Sequence, residues 1–140
     1  MNKTLRRISL FTAVLVLLLS ALSTLNVQAA RSPFMGAWES IDIDGSYQTL
    51  NIGGGPRGMF RFRYHDRGAT VCGVEDGVIL YAGFANGWFE EAASNVLTAT
   101  FDFTCLSRPT RTVGPFSVEY TYHPGTDTIT DSTGVIWTRK

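Results

Sequence analysis

From Pro33 onward nearly every segment of the chain alternates apolar and polar residues, and none repeats at the 3.6-residue period of an amphipathic helix. A period of two places successive side chains on opposite faces of a strand, so the pattern commits the chain to β-structure with one dry and one wet face. In Met59 to His65, Phe60, Phe62 and Tyr64 alternate with Arg61, Arg63 and His65. In Val96 to Cys105, Leu97, Ala99, Phe101, Phe103 and Cys105 alternate with Thr98, Thr100, Asp102 and Thr104. Phe116 to Tyr122 puts Phe116, Val118, Tyr120 and Tyr122 inward, and Leu50 with Ile52 marks a shorter example.

Turn residues punctuate these runs. Asp44-Gly45, Asn86-Gly87 and Thr133-Gly134 read as short hairpin turns, and residues 53–58, 65–68, 75–77 and 124–127 as longer ones. Eight or nine short strands joined by sequential hairpins therefore fill Gly36 to Lys140, a spacing that fits a small barrel or sandwich and not a βαβ fold. Val78 to Ala85 reads as one strand that is apolar on both faces, which requires a cover on its outer side. Phe34, Gly36 and Trp38 share one parity and Ile41 and Ile43 the other, which predicts a bulge that switches the inward face. A short helix fits only near Glu90 to Ser94.

The N-terminus carries a different signal. Lys3, Arg6 and Arg7 precede an apolar run from Ile8 to Leu22, and Val27-Gln28-Ala29 offers a small-residue processing site. Residues 1–29 are expected to be a Sec-type signal peptide, with a secreted domain over residues 30–140, either extracellular or periplasmic. The apolar run is shorter than the ~20 residues that span a bilayer, so no membrane insertion is expected after cleavage. Cleavage leaves 111 residues, enough for one domain. Losing Lys3, Arg6 and Arg7 takes the 12 basic residues to 9 against 12 acidic ones, a mild negative balance that argues against nucleic acid as a partner. Cys72 and Cys105 form an even pair in an exported domain and are expected to be bonded, closing a loop that the chain-entropy account values at roughly 3 to 4 kcal/mol. They lack the spacing and the nearby histidines of a metal or redox site, and no metal or cofactor is expected.

Gly36-Ala37-Trp38 opening the first strand and Trp137-Thr138-Arg139 closing the last resemble the paired end signatures of the calycin group, the up-and-down barrels that include lipocalins and avidins. The resemblance implies a single antiparallel up-and-down β-barrel, with a β-sandwich as the alternative. It also implies end packing by Trp38, Trp137 and Arg139, with the Arg139 guanidinium stacked on the Trp38 ring. The chain is similar as well to uncharacterised bacterial secreted domains, through Gly36 to Trp38, Asp42 to Ser46, Ala69 to Gly73 and Cys105. That likeness implies no activity.

Asp42-Ile43-Asp44-Gly45-Ser46 has the beginning of a calcium loop but lacks its later ligands, and a hairpin turn accounts for it. Arg61, Arg63 and His65 form a basic stripe, with Arg57 and Arg67 in the flanking turns; it reads as a solvated outer face or as a receptor for an anionic polymer or headgroup. No nucleophile, metal-hydrolase or phosphate-loop motif accompanies the two histidines, His65 and His123, and the protein is not expected to be an enzyme. The aromatic inner face either lines a cavity or fills it. The leading expectation is a secreted non-catalytic barrel that binds a small apolar or amphipathic ligand, with Trp38 at the floor and Tyr64, Phe101, Phe103 and Tyr120 in the wall. Its rival is a packed barrel that acts through its surface as an inhibitor or adhesion module toward a secreted or cell-surface protein, using Trp88 and Phe89.

Overall fold

Alternation becomes curvature in the computed structural model, which describes residues 32–55 and 58–140. The proposed signal peptide and Arg57 lie outside the described residues. The strands are β1 (Gly36–Ile41), β2 (Tyr47–Gly54), β3 (Met59–Asp66), β4 (Val74–Glu75), β5 (Val78–Ile79), β6 (Gly83–Ala93), β7 (Val96–Cys105), β8 (Arg111–His123), β9 (Thr128–Asp131) and β10 (Ile136–Arg139). Eight of them close in the order β1-β10-β9-β8-β7-β6-β3-β2, and β4 and β5 form a separate two-stranded hairpin. Every barrel strand is antiparallel to its neighbours, and the ring closes where Trp38 pairs with Arg139. The fold is an all-β up-and-down barrel, and the sandwich alternative is set aside by the closed ring.

Inward parity builds the core. Trp38, Leu50, Ile52, Phe60, Phe62, Phe89, Leu97, Ile129 and Trp137 are all buried. They sit in the barrel because each occupies the dry parity of its strand, and burying a side chain of this size contributes about 1.5 to 3 kcal/mol. One end of the barrel is formed by Phe34, the β2–β3, β6–β7 and β8–β9 turns and the end of β10, and it is packed shut. The opposite end gathers the β1–β2 turn, the β3–β6 connection, the β7–β8 loop and the β9–β10 turn.

Local readings fail in four places, each for a physical reason. Asn86-Gly87 is not a turn but lies within β6, where Gly87 pairs with Phe62. A Cβ on Gly87 would stand 2.8 Å from the Phe62 ring, so the glycine provides room for an aromatic and not a reversal. Val78 to Ala85 is not one strand: Val78–Ile79 closes the β4–β5 hairpin, and β6 begins only at Gly83. β1 does not switch faces, since Trp38 and Ser40 are both buried while Ile41 and Ile43 are exposed. Glu90 to Ser94 holds no helix; it is the end of β6 and the tight turn into β7.

Two irregularities shape the wall. Opposite Asp102 alone, β8 carries two residues, Gly114 and Pro115, between the Phe101–Phe116 and Phe103–Val113 pairings, a one-residue bulge that a proline tolerates and that bends the strand. Gly114 has a φ of 142°, and a Cβ there would meet the Asp102 carboxylate at 2.7 Å, so a side chain is excluded. β6 and β7 pair at both ends, whereas Ala85 to Phe89 have ladder partners on β3 alone.

The residues between β3 and β6 make an insert over the second barrel end. It contains a 3₁₀ turn, Thr70–Cys72, and is bonded to the barrel by the Cys72–Cys105 disulfide, with Cα atoms 5.4 Å apart. A backbone bond from the Ala69 N–H to the Tyr81 carbonyl holds its two ends together, and one from the Leu106 N–H to the Ala82 carbonyl ties it to the residue after β7.

Candidate functional site

The second barrel end opens into a cavity of about 460 Å³. Its inner wall is aromatic. Tyr64 comes from β3, Phe101 and Phe103 from β7, Phe116 and Tyr120 from β8, and Trp137 from β10, all on the inward parity of their strands. The rings interlock: Tyr64 lies 5.7 Å from Phe103, 6.5 Å from Phe101 and 5.9 Å from Trp137, and Tyr120 lies 6.0 Å from Trp137. Phe62 and Phe89, whose centroids are 4.5 Å apart, fill the barrel beneath. Phe62 and Tyr120 each touch that layer and the wall above it, at 5.3 Å between Phe62 and Phe101 and 5.1 Å between Phe89 and Tyr120. The aromatic load therefore does both things the sequence allowed, packing one half of the barrel and lining the other.

The rim is acidic. Asp42 comes from the β1–β2 turn, Asp66 from the end of β3 and Asp131 from the end of β9. Asp66 is buried, and its carboxylate accepts hydrogen bonds from Ser46 Oγ at 2.9 Å, the Gly68 N–H at 3.0 Å, and Gln48 Nε2 and Tyr64 OH at 3.3 Å each. Asp131 organises the β9–β10 turn by accepting from the Thr133 and Val135 amides, and its second oxygen accepts from Trp137 Nε1 at 3.0 Å. This bond satisfies an indole donor that would otherwise be buried without a partner. The Asp42 carboxylate accepts from the Ile43 amide, at 2.7 Å. Desolvation raises its pKa above the ordinary carboxylate range, and the charges of Asp44, Asp66 and Asp131 add to the rise. Burial, followed by the nearby Asp66 charge, pushes the Tyr64 phenol well above its usual value, and burial with Asp131 does the same to Tyr120. Both phenols are therefore neutral and able to donate at any physiological pH.

Ala69, Thr70 and Val71 of the disulfide-tethered insert overhang the mouth. Their position is held by the Cys72–Cys105 bond and by Arg111, whose guanidinium donates to the Val71 carbonyl at 2.8 Å.

Of the residues expected to contact a ligand, Tyr64, Phe101, Phe103 and Tyr120 meet at this cavity. Trp38 does not. It is fully buried at the packed end, donating from Nε1 to the Phe34 carbonyl at 2.8 Å. Trp137 and Arg139 share the inward parity of β10 but separate along it: Arg139 covers Trp38, whereas Trp137 faces Tyr64 and Tyr120 in the cavity wall. Trp137 is thus a cavity residue and not part of the end plug. Phe89, expected on the surface beside Trp88, is fully buried because adjacent strand residues face opposite sides; Trp88 is 45% exposed. Sequence reasoning missed the acidic rim and the insert. Asp42 and Asp66 read as turn residues, which they also are, and Asp131 carried no signal of its own. Among the described residues no group of three or more His, Cys, Asp and Glu side chains is placed to hold a metal ion. Neither histidine lines the cavity.

No protein-family model matches the chain, and no curated protein or solved structure matches it either.

Proposed function

We propose that this protein is a secreted, non-catalytic, calycin-like barrel that takes one small amphipathic molecule into the cavity at its open end. The observation that carries this reading is the juxtaposition of an aromatic wall of Tyr64, Phe101, Phe103, Tyr120 and Trp137 with a carboxylate rim around a cavity of about 460 Å³. That volume suits a small ligand, and a predominantly apolar pocket with a few fixed polar groups is the usual form of a small-molecule site. The apolar body of the ligand lies against the rings, while its polar head meets Asp42, Asp66 and the Tyr64 hydroxyl, an arrangement that favours a hydrogen-bond donor or a cation over an anion. The calycin-like assignment is supported by the Arg139 guanidinium over the Trp38 ring, and the secreted location by the Cys72–Cys105 bond and the signal-like N-terminus.

Native mass spectrometry of protein purified from its own host is expected to show a bound small molecule. Titration with a fluorescent apolar amine is expected to give one saturable site that quenches Trp137, and a bulky change at the wall, Val118→Trp, is expected to abolish it. An unliganded protein that binds no such probe, or a Val118→Trp variant that binds as the parent does, overturns the reading.

A further inference from the structure

The outer face of β3 and β6 carries a set of side chains separate from those of the cavity. On β3 the outward positions are Arg61, Arg63 and His65, all exposed, and Arg67 follows just past the strand. Outward neighbours along a strand recur roughly every 7 Å, so the three arginines and the histidine form an evenly spaced row in which Arg61, Arg63 and Arg67 carry the positive charge. Among the described residues no carboxylate lies within ion-pair distance of Arg61, Arg63 or Arg67; the only two ion pairs involve Arg139 and Lys140. Like charges gathered in a row without counter-charges repel one another, a cost that an anionic ligand removes.

The residues across from that row are not charged. Arg61 is paired with Gly53 on one side and Trp88 on the other, Arg63 with Asn51 and Asn86, and His65 with Thr49 and Phe84. The Arg61 guanidinium lies 5.6 Å from the Trp88 ring centroid, and the His65 ring 6.0 Å from Phe84. Together Arg61, Arg63, His65, Phe84, Asn86 and Trp88 border a groove of about 630 Å³ on the barrel wall.

We propose that this groove binds a linear acidic polysaccharide. Four requirements of such a chain are met at once: spaced cations for carboxylates or sulfates, an exposed indole for the face of a sugar ring, an amide at Asn86 for hydroxyls, and a groove along the strands for the polymer. A bilayer surface demands a convex or flat face with protruding apolar anchors, which a concave groove does not offer.

The test uses polygalacturonate as the probe, dextran as the neutral control and anionic phosphatidylglycerol vesicles as the competing surface. Polygalacturonate is expected to bind at least about tenfold more tightly than dextran and to weaken as salt screens the arginines. The double change Arg61→Gln with Arg63→Gln is expected to weaken binding about tenfold or more, and Trp88→Ser about threefold, with Trp88→Tyr restoring it because a stacking face returns. Arg108→Gln, an exposed change on the β7–β8 loop, is expected to bind as the parent does. Circular dichroism of each variant establishes that these exposed changes leave the barrel folded. Unchanged affinity in the double variant, unchanged affinity in Trp88→Ser, or tighter binding to the vesicles than to polygalacturonate overturns the proposal. The cavity reading survives any of these results, because none of the altered residues lines the cavity.

Discussion

The Arg139 guanidinium lies 4.1 Å from the centroid of the Trp38 ring system, and it is held there by Asp127 through two bonds of 2.8 Å and by the carbonyls of Pro33 and Met35. One side chain thus covers the buried indole, ties the last strand to the segment before the first, and pins the β8–β9 turn.

Arg139→Ala is therefore expected to lower stability by about 1 to 2 kcal/mol, and Trp38→Ala by about 3 to 5 kcal/mol because it opens a cavity in a small core. A double-mutant cycle by chemical denaturation is expected to show coupling between the two; additive effects would contradict the contact. The same bonds from Arg139 hold the Asp127 carboxyl below its usual pKa. A depressed carboxyl stabilises the fold above its unfolded value, and that contribution is lost as pH falls through the lowered native value. Arg139→Ala should accordingly flatten the acid limb of the stability profile.

Asp42 behaves in the opposite sense. Its pKa is raised, so its ionised form destabilises the native state at neutral pH, and the penalty disappears as pH falls through the raised native value. Asp42→Asn keeps an oxygen to accept from the Ile43 amide and removes the charge. It is expected to raise the melting temperature slightly at pH 7, by less than about 1 kcal/mol of stability because solvent screens a partly exposed group, and to converge with the parent in acid. Paired thermal melts at neutral and acidic pH decide it.

Breaking the disulfide, by reduction or by changing Cys72 and Cys105 together to Ala, is expected to cost roughly 2 to 5 kcal/mol. Both cysteines are buried, yet they join an insert to a barrel whose eight strands close into a ring without it. Hydrogen exchange should therefore rise first in residues 69–82 and leave β2, β3 and β7 protected; a uniform increase would show that the insert and the barrel unfold as one unit.

Gly87→Ala places a methyl 2.8 Å from the Phe62 ring, inside a layer where Phe62 and Phe89 already stack. Overpacking of this kind is expected to cost about 1 to 3 kcal/mol, whereas Gly125→Ala, with nothing within 4 Å of the added methyl, should cost less than about 1. Equal denaturation midpoints for the two variants would refute the packing account.

What the sequence made legible was whatever depends on parity alone. The alternation of Phe60, Phe62 and Tyr64 with arginines placed β3, and the same logic brought Tyr64, Phe101, Phe103 and Tyr120 to one interior. What it concealed depends on partners remote in the chain. Asn86-Gly87 has the chemistry of a turn, and only the Phe62 ring from the neighbouring strand explains a glycine there. Trp137 and Arg139 share a face of β10, so their separation into cavity and plug is set by depth along the barrel, which alternation does not encode. The insert between β3 and β6 has no period to read, because its shape is set by a bond to Cys105 and by loop hydrogen bonds.

Ring closure has a temporal side. Seven of the eight seams join strands that are consecutive in the barrel's chain order, but the eighth joins Trp38 to Arg139, across about a hundred residues. A chain made from its N-terminus produces β1 first and β10 last, so the free edge of β1 stays unpaired until Ile136–Arg139 exists. A chain interrupted before Ile136 presents two bare edges, on β1 and β9, each a template for pairing with another copy. The finished ring removes that hazard in a single late step.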